Sequence, residues 1–121
     1  MKNTNRTGAA GERIARDYLR AKGYAIVESN WSTKFGELDI VAKRDGILVF
    51  VEVKTRRGAS TESALESVTA VKHARTLKAV YQYLHDHDID AESLWRMDVI
   101  GIALAANGRP RIDHVEDAFD W

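Results

Sequence analysis

Gly36-Glu37-Leu38-Asp39-Ile40-Val41-Ala42-Lys43-Arg44-Asp45-Gly46-Ile47-Leu48-Val49-Phe50-Val51-Glu52-Val53-Lys54 decides the reading of this chain. Two runs of β-forming residues flank Asp45-Gly46, the dipeptide most favoured in two-residue hairpin turns. With that turn, Arg44 faces Ile47, Asp39 lies across from Glu52 and Glu37 across from Lys54. Three carboxylates and one amine then share a hairpin face. Like charges opposed across a ladder destabilise it, and carboxylates held this close resist joint ionisation without a cation between them. Hard divalent cations prefer such oxygen ligands, and a lysine beside one can stabilise charge on a phosphoryl oxygen. The plainer alternative is a solvated patch in which Lys54 neutralises the acids. Val51 and Val53 mark the strand as buried, and buried carboxylates without a partner are uncommon.

Working outward, Ile14, Ala15, Tyr18 and Leu19 recur at helical spacing, with Thr7 as N-cap and Gly23 as stop, so an amphipathic helix is expected over 8–22. Glu12 falls at the edge of its buried face. A strand is expected over Tyr24–Glu28, and a polar loop over Ser29–Gly36 with Trp31 as a packing residue. Val71, Ala74, Leu77, Tyr81 and Leu84 predict a second helix from Thr69 to Asp86. An acidic loop over Asp86–Glu92 follows; it lacks the glycine and glutamate of a calcium loop. Strands are expected at Met97–Leu104 and Arg111–Val115, with Asp98 paired to a nearby arginine such as Arg96, and Phe119 and Trp121 packing at the end. Helix, strands, helix, strands is the order of a single small α/β domain, a mixed central sheet flanked by helices.

The chain has 121 residues, one domain's worth, and no cysteine, which excludes disulfide scaffolds and thiol chemistry. No apolar run approaches the roughly 20 residues of a membrane span, and nothing near the start reads as a signal peptide. A cytoplasmic protein without membrane association is the expectation. Eighteen Lys and Arg balance eighteen Asp and Glu. The balance is uneven along the chain: residues 1–78 carry 15 basic and 9 acidic side chains, a balance of +6, and residues 79–121 carry 3 and 9, a balance of −6. Such a chain can offer a basic face to an anionic partner, and the C-terminal acids are expected to lie away from the hairpin.

Gly36-Glu37-Leu38-Asp39-Ile40 followed by Phe50-Val51-Glu52-Val53-Lys54-Thr55-Arg56 resembles the YraN family of nuclease-like proteins. That family belongs to the PD-(D/E)xK nuclease superfamily and is similar to archaeal Holliday-junction resolvases. Gly11-Glu12, Gly23-Tyr24, Asn30-Trp31, Lys72, Arg75, Arg96-Met97-Asp98-Val99 and Ala118-Phe119 extend the likeness over almost the whole chain. It implies one nuclease-like domain over 1–121 with a restriction-endonuclease-like core. By the same resemblance Asp39, Glu52 and the Val53 carbonyl would ligate Mg²⁺ or Mn²⁺. Lys54 would position or activate the attacking water, and Glu12 would hold a metal-bound water or a second ion. Leu38 stands where the superfamily name has proline, and Glu37 is an additional acid without an assigned role.

The implied activity is metal-dependent endonucleolytic hydrolysis of DNA, at branched or flapped structures. The alternative is a nucleic-acid-binding or repair-complex module that keeps the fold without turnover. Arg13, Arg56, Arg57, Lys72 and Arg75 are candidate phosphate contacts, since backbone contacts supply most non-specific affinity. A junction resolvase needs two active sites, hence a homodimer.

Overall fold

Asp45 and Gly46 both take positive φ, 53° and 77°, as a type I′ turn requires. The strands beside them pair antiparallel from Arg44↔Ile47 to Ile40↔Val51, in the register the Asp-Gly turn predicts. In the computed structural model these strands are β2 (Gly36–Arg44) and β3 (Ile47–Arg57). It describes residues 2–58, 61, 70–106 and 108–118, with the backbone alone for 2–7 and 70–72. The other elements are α1 (Lys2–Ala21), β1 (Ala25–Thr33), α2 (Ala70–Asp86), β4 (Trp95–Leu104) and β5 (Arg111–Val115). The sheet order is β1-β2-β3-β4-β5. Only β3 and β4 run parallel among these pairs, and α2 lies in the crossover such a pair needs.

Alternation along β3 divides the core. Val49 and Val51 join Ile40, Ala42, Ile100 and Ile102 beneath Ala15 and Leu19 of α1. Phe50 joins Val41, Met97 and Val99 beneath Ala79, Val80, Tyr83 and Leu84 of α2. This is the expected mixed α/β sheet with a helix on each face.

Two expected boundaries are corrected. The first helix begins at Lys2 instead of residue 8, so Thr7 lies within it and is no cap. No proline or glycine in Lys2–Thr7 stops the helix from propagating back. It ends where expected, with Gly23 at φ 94° and the Tyr24 N–H donating to the Leu19 carbonyl at 3.0 Å. The stretch expected as a loop over Ser29–Gly36 is strand through Thr33, paired as far as Thr33↔Gly36. An edge strand keeps polar side chains in water, so its sequence reads as loop. Trp31 packs as expected, edge-on to Tyr83 at 5.1 Å. Thr69, Phe119 and Trp121 lie outside the described residues, as does the Lys72 side chain.

The β1–β2 register shifts between Ile26 and Glu28, and alternation along β2 breaks separately at Asp39. Leu38 and Ile40 are two apart and should share a face, yet Leu38 lies in the α2-side core and Ile40 in the α1-side core. Across the β1–β2 ladder, Ser29↔Ile40 and Trp31↔Leu38 bracket Asn30, which takes φ 54°. Asparagine is among the few residues that tolerate this left-handed conformation. The local turn of the ribbon at Asn30 and Asp39 changes which face the following side chains take.

α1 meets β3 closely at Gly11, where any Cβ would run into the Thr55 side chain. Its far end is tied differently. Tyr18 Oη lies 3.2 Å from His114 Nδ1, and His114 Nε2 donates to Asp98 Oδ2 at 2.7 Å. Asp98 is fully buried and also accepts from Arg96 Nε at 2.9 Å and the Asp117 N–H at 3.0 Å. Burial pushes its carboxyl up, but the bonds from His114, Arg96 and Asp117 outweigh that and hold it below the usual carboxylate range. The expected Arg96–Asp98 pair is therefore present, and it is the centre of a network joining α1, β4 and β5.

Replacing a helical glycine by alanine ordinarily stabilises by about 1 kcal/mol. Gly11→Ala is expected to destabilise instead, by about 1–3 kcal/mol, because it overpacks the contact with Thr55. Urea unfolding of G11A, T55A and the double variant checks this; the double variant should recover part of the loss, since Oγ1 and Cγ2 are gone while Cβ remains.

Candidate functional site

The antiparallel ladder stops at Ile40↔Val51, one pair short of Asp39 and Glu52. The sequence register placed Asp39 opposite Glu52 and Glu37 opposite Lys54; the regular pairing does not reach them. Instead Asp39 turns its carboxylate to the β3 backbone and accepts the Val53 N–H at Oδ2, 2.9 Å. The splay opens a small cavity of about 10 Å³, lined by Glu37, Leu38, Asp39, Phe50, Val51, Glu52 and Thr76. That is the room one water occupies.

Glu12, Glu37 and Asp39 each bring a carboxylate oxygen within 4.8 Å of the others. Glu12 comes from α1, which the Gly11–Thr55 contact presses onto the sheet, and Glu37 and Asp39 from β2. Glu37, whose role the sequence left open, is thus in the cluster. Glu52 is not one of these three. It pairs with Lys54, Oε2 to Nζ 2.8 Å, with both side chains mostly buried. Its other oxygen, Oε1, is buried and has no hydrogen-bond partner among the described residues.

The electrostatics follow from this crowding. Burial first, and then the charges of Glu12, Glu52 and Glu37, push the Asp39 carboxyl up to about 7 against the Val53 hydrogen bond. Glu12 is also raised, by burial first and then by Glu37, with the Asn30 side-chain hydrogen bond and Arg16 acting against it. Asn30 therefore has two roles: it turns the ribbon opposite Asp39 and holds Glu12.

Of the expected phosphate contacts, Arg13 is exposed on α1, and Arg56 and Arg57 are exposed at the end of β3. Arg56 donates to the Thr55 carbonyl at 3.1 Å. Arg75 is exposed on α2, its aliphatic stem close against Gly36. The acidic C-terminal block is less remote than its sequence position suggested: Asp86 shares a groove with Lys34 at the β1–β2 turn, because the last turn of α2 lies beside that hairpin. Asn30, Thr76, Lys34 and Phe35 escaped the sequence reading. Asn30 sat beside Trp31 in an apparent loop, and Thr76 carries no charge to draw notice.

The family model of the Uncharacterised protein family UPF0102 matches residues 11–102, which run from the Gly11 contact through the acids to β4. The chain belongs to the UPF0102 family. This bears out the YraN resemblance. Among UPF0102 proteins, one from Roseiflexus castenholzii is 39% identical over 116 residues, covering 95% of this chain and 94% of the relative. One from Chloroflexus aurantiacus is 42% identical over 109 residues, 90% of this chain and 87% of the relative. One from Pelobacter propionicus is 45% identical over 119 residues, 94% of this chain and 82% of the relative. No helix among the described residues of the UPF0102 chain is long and apolar enough to cross a membrane.

The raised Asp39 carboxyl gives this UPF0102 protein a pH signature. A carboxyl whose folded pKa lies above its unfolded value binds more protons in the folded state, so its ionisation destabilises the fold as pH rises from the ordinary carboxylate range to about 7. Asp39→Asn, which keeps an acceptor for Val53, should raise the stability of metal-free protein at pH 8 by about 1–3 kcal/mol. The gain should shrink at pH 5. Urea unfolding at the two pH values in EDTA measures both.

Proposed function

We propose that the protein is a divalent-cation-dependent hydrolase of nucleic-acid phosphodiester bonds. The observation that carries this reading is Glu52 Oε1, a buried carboxylate oxygen with no hydrogen-bond partner among the described residues, on a residue that lines a water-sized cavity with Glu37 and Asp39. A carboxylate oxygen left bare in a buried site costs several kcal/mol unless something binds it. An all-oxygen donor set with few bonds of its own fits Mg²⁺ or Mn²⁺, which keep several waters.

Asp39 and Glu52 would hold the ion, with the Val53 carbonyl beside them, and Glu12 and Glu37 would take its outer water or a second ion. Bound there, the ion supplies Lewis acidity toward a phosphoryl oxygen and a lowered pKa for water. Asp39 is kept in place by the Val53 N–H, which fixes the carboxylate while leaving its other oxygen for a ligand. Lys54, paired with Glu52, orients the attacking water and offsets charge developing on the phosphate. Arg13, Arg56, Arg57, Lys72 and Arg75 supply the cations that draw in a phosphate backbone. DNA is the substrate this reading favours, acting in the cytoplasm and without a membrane.

The close Lys54–Glu52 pair also supports a second reading. An amine already committed to a carboxylate at 2.8 Å suits a nucleic-acid-binding module that does not turn over.

Incubation with flapped, nicked and four-way-junction DNA in Mg²⁺ or Mn²⁺ separates the two. The hydrolase reading expects cleavage that Asp39→Asn, Glu52→Gln and Lys54→Ala each reduce by about 100-fold or more, without loss of folding. Salt-sensitive binding with no cleavage in either metal selects the binding module. Sedimentation of the junction complex reads whether two copies assemble on it.

A further inference from the structure

We propose that the groove between the β1–β2 turn and α2 binds one unpaired nucleotide, so that the substrate class is nucleic acid with a single-stranded nucleotide beside the scissile phosphate. This rests on the hydrolase reading above. The groove is open, about 380 Å³ in volume, and lined by Ser32, Thr33, Lys34, Phe35, Gln82 and Asp86. That volume lies at the small end of the range for small-molecule sites.

The lining has the groups that recognise a base. Phe35 offers an aromatic face, on which a base of any sequence can stack. Gln82 can both donate to and accept from a base edge, and a carboxylate such as Asp86 accepts from an exocyclic amino group. Asp86 also repels phosphate, so the base edge points toward α2. The Lys34 ammonium lies over the Phe35 ring, 5.3 Å from its centroid; swung from that face on a flexible stem, it suits the phosphate of the nucleotide whose base takes its place.

These groups are held before any ligand arrives. Thr33 Oγ1 accepts the Phe35 N–H at 2.9 Å and donates to the Gly36 carbonyl at 3.3 Å. Gln82 Nε2 donates to Asp86 Oδ1 at 2.7 Å. Preorganisation of this kind lowers the entropy cost of binding. The turn is also tied to the acid cluster by the chain itself: Phe35 precedes Glu37 by two residues and Asp39 by four, a span of about 13 Å as strand. A backbone whose phosphate sits at the acids places a neighbouring nucleotide at the groove. A paired base cannot use it, because its edge faces its partner and both its faces are stacked.

The test uses a duplex with a single-stranded tail and a blunt duplex of the same length, with 2-aminopurine at the first unpaired position of the tail. Binding is followed by anisotropy in Ca²⁺, with the wild-type protein, Phe35→Ala, Phe35→Tyr and Gln82→Ala. Wild type is expected to prefer the tailed duplex and to quench the 2-aminopurine. Phe35→Ala should weaken tailed binding by about five-fold or more, the lower end for loss of one stacked base, and abolish quenching while leaving blunt-duplex binding within about two-fold. Phe35→Tyr should restore both, and Gln82→Ala, an exchange in an exposed groove, should weaken tailed binding alone. Equal binding to both duplexes, or unchanged quenching in Phe35→Ala and Gln82→Ala, overturns the nucleotide site and leaves the hydrolase reading standing. No binding to either duplex overturns both.

Discussion

The acid cluster depends on how closely one helix can lie on one strand. At Gly11 the α1 backbone approaches Thr55 with no room for a Cβ, and the next residue is Glu12. A bulkier residue there would lift the helix and carry Glu12 away from Glu37 and Asp39. The cost of bringing three carboxylates together is met by the hydrophobic contact beneath, where Ala15 and Leu19 bury completely against Ile40, Val49 and Val51. Packing thus supplies the free energy that holds the charges in an arrangement they would not adopt alone.

The second constraint is the break in β2. A regular strand would send Leu38 and Ile40 to the same side and Asp39 to the other. β1 stays paired to β2 past Asn30, but β2 and β3 part after Ile40↔Val51, the Val53 N–H goes to the Asp39 carboxylate, and a cavity forms where the next rung of that ladder would be. Irregular ribbon at the end of a hairpin often re-aims a side chain. Here it gathers acids from α1 and β2 beside the Glu52–Lys54 pair of β3.

Much of the fold was legible because its signals are local. Asp45-Gly46 specified the turn, and the turn specified the register from Arg44 to Ile40. The spacing of Ala15 and Leu19, and of Leu77 and Leu84, specified the helices. The Arg96–Asp98 pair could be read from two neighbours on one strand. What escaped depends on contacts far apart in the chain. Ser29–Thr33 reads as loop because an edge strand may be polar. The role of Glu37 was illegible because alternation, extended through Asp39, assigns it to Lys54; the end of regular β2–β3 pairing after Ile40↔Val51 depends on contacts that the hydrophobic pattern does not mark. The Thr33–Gly36 turn looked like connection, since only the folded α2 brings Gln82 and Asp86 beside it.

The Tyr18–His114–Asp98 network joins segments far apart in the chain. Tyr18 and His114 are 96 residues apart, so α1 is fastened by β5, a strand far from it in sequence. Tyr18 can meet His114 only once β5 has been made, whereas α1 also packs on β2 and β3, which precede β5 by about fifty residues or more. Without β5, α1 would keep its packing on Ile40, Val49 and Val51 but lose the polar fastening at Tyr18, so the helix that carries Glu12 would be anchored at one end only.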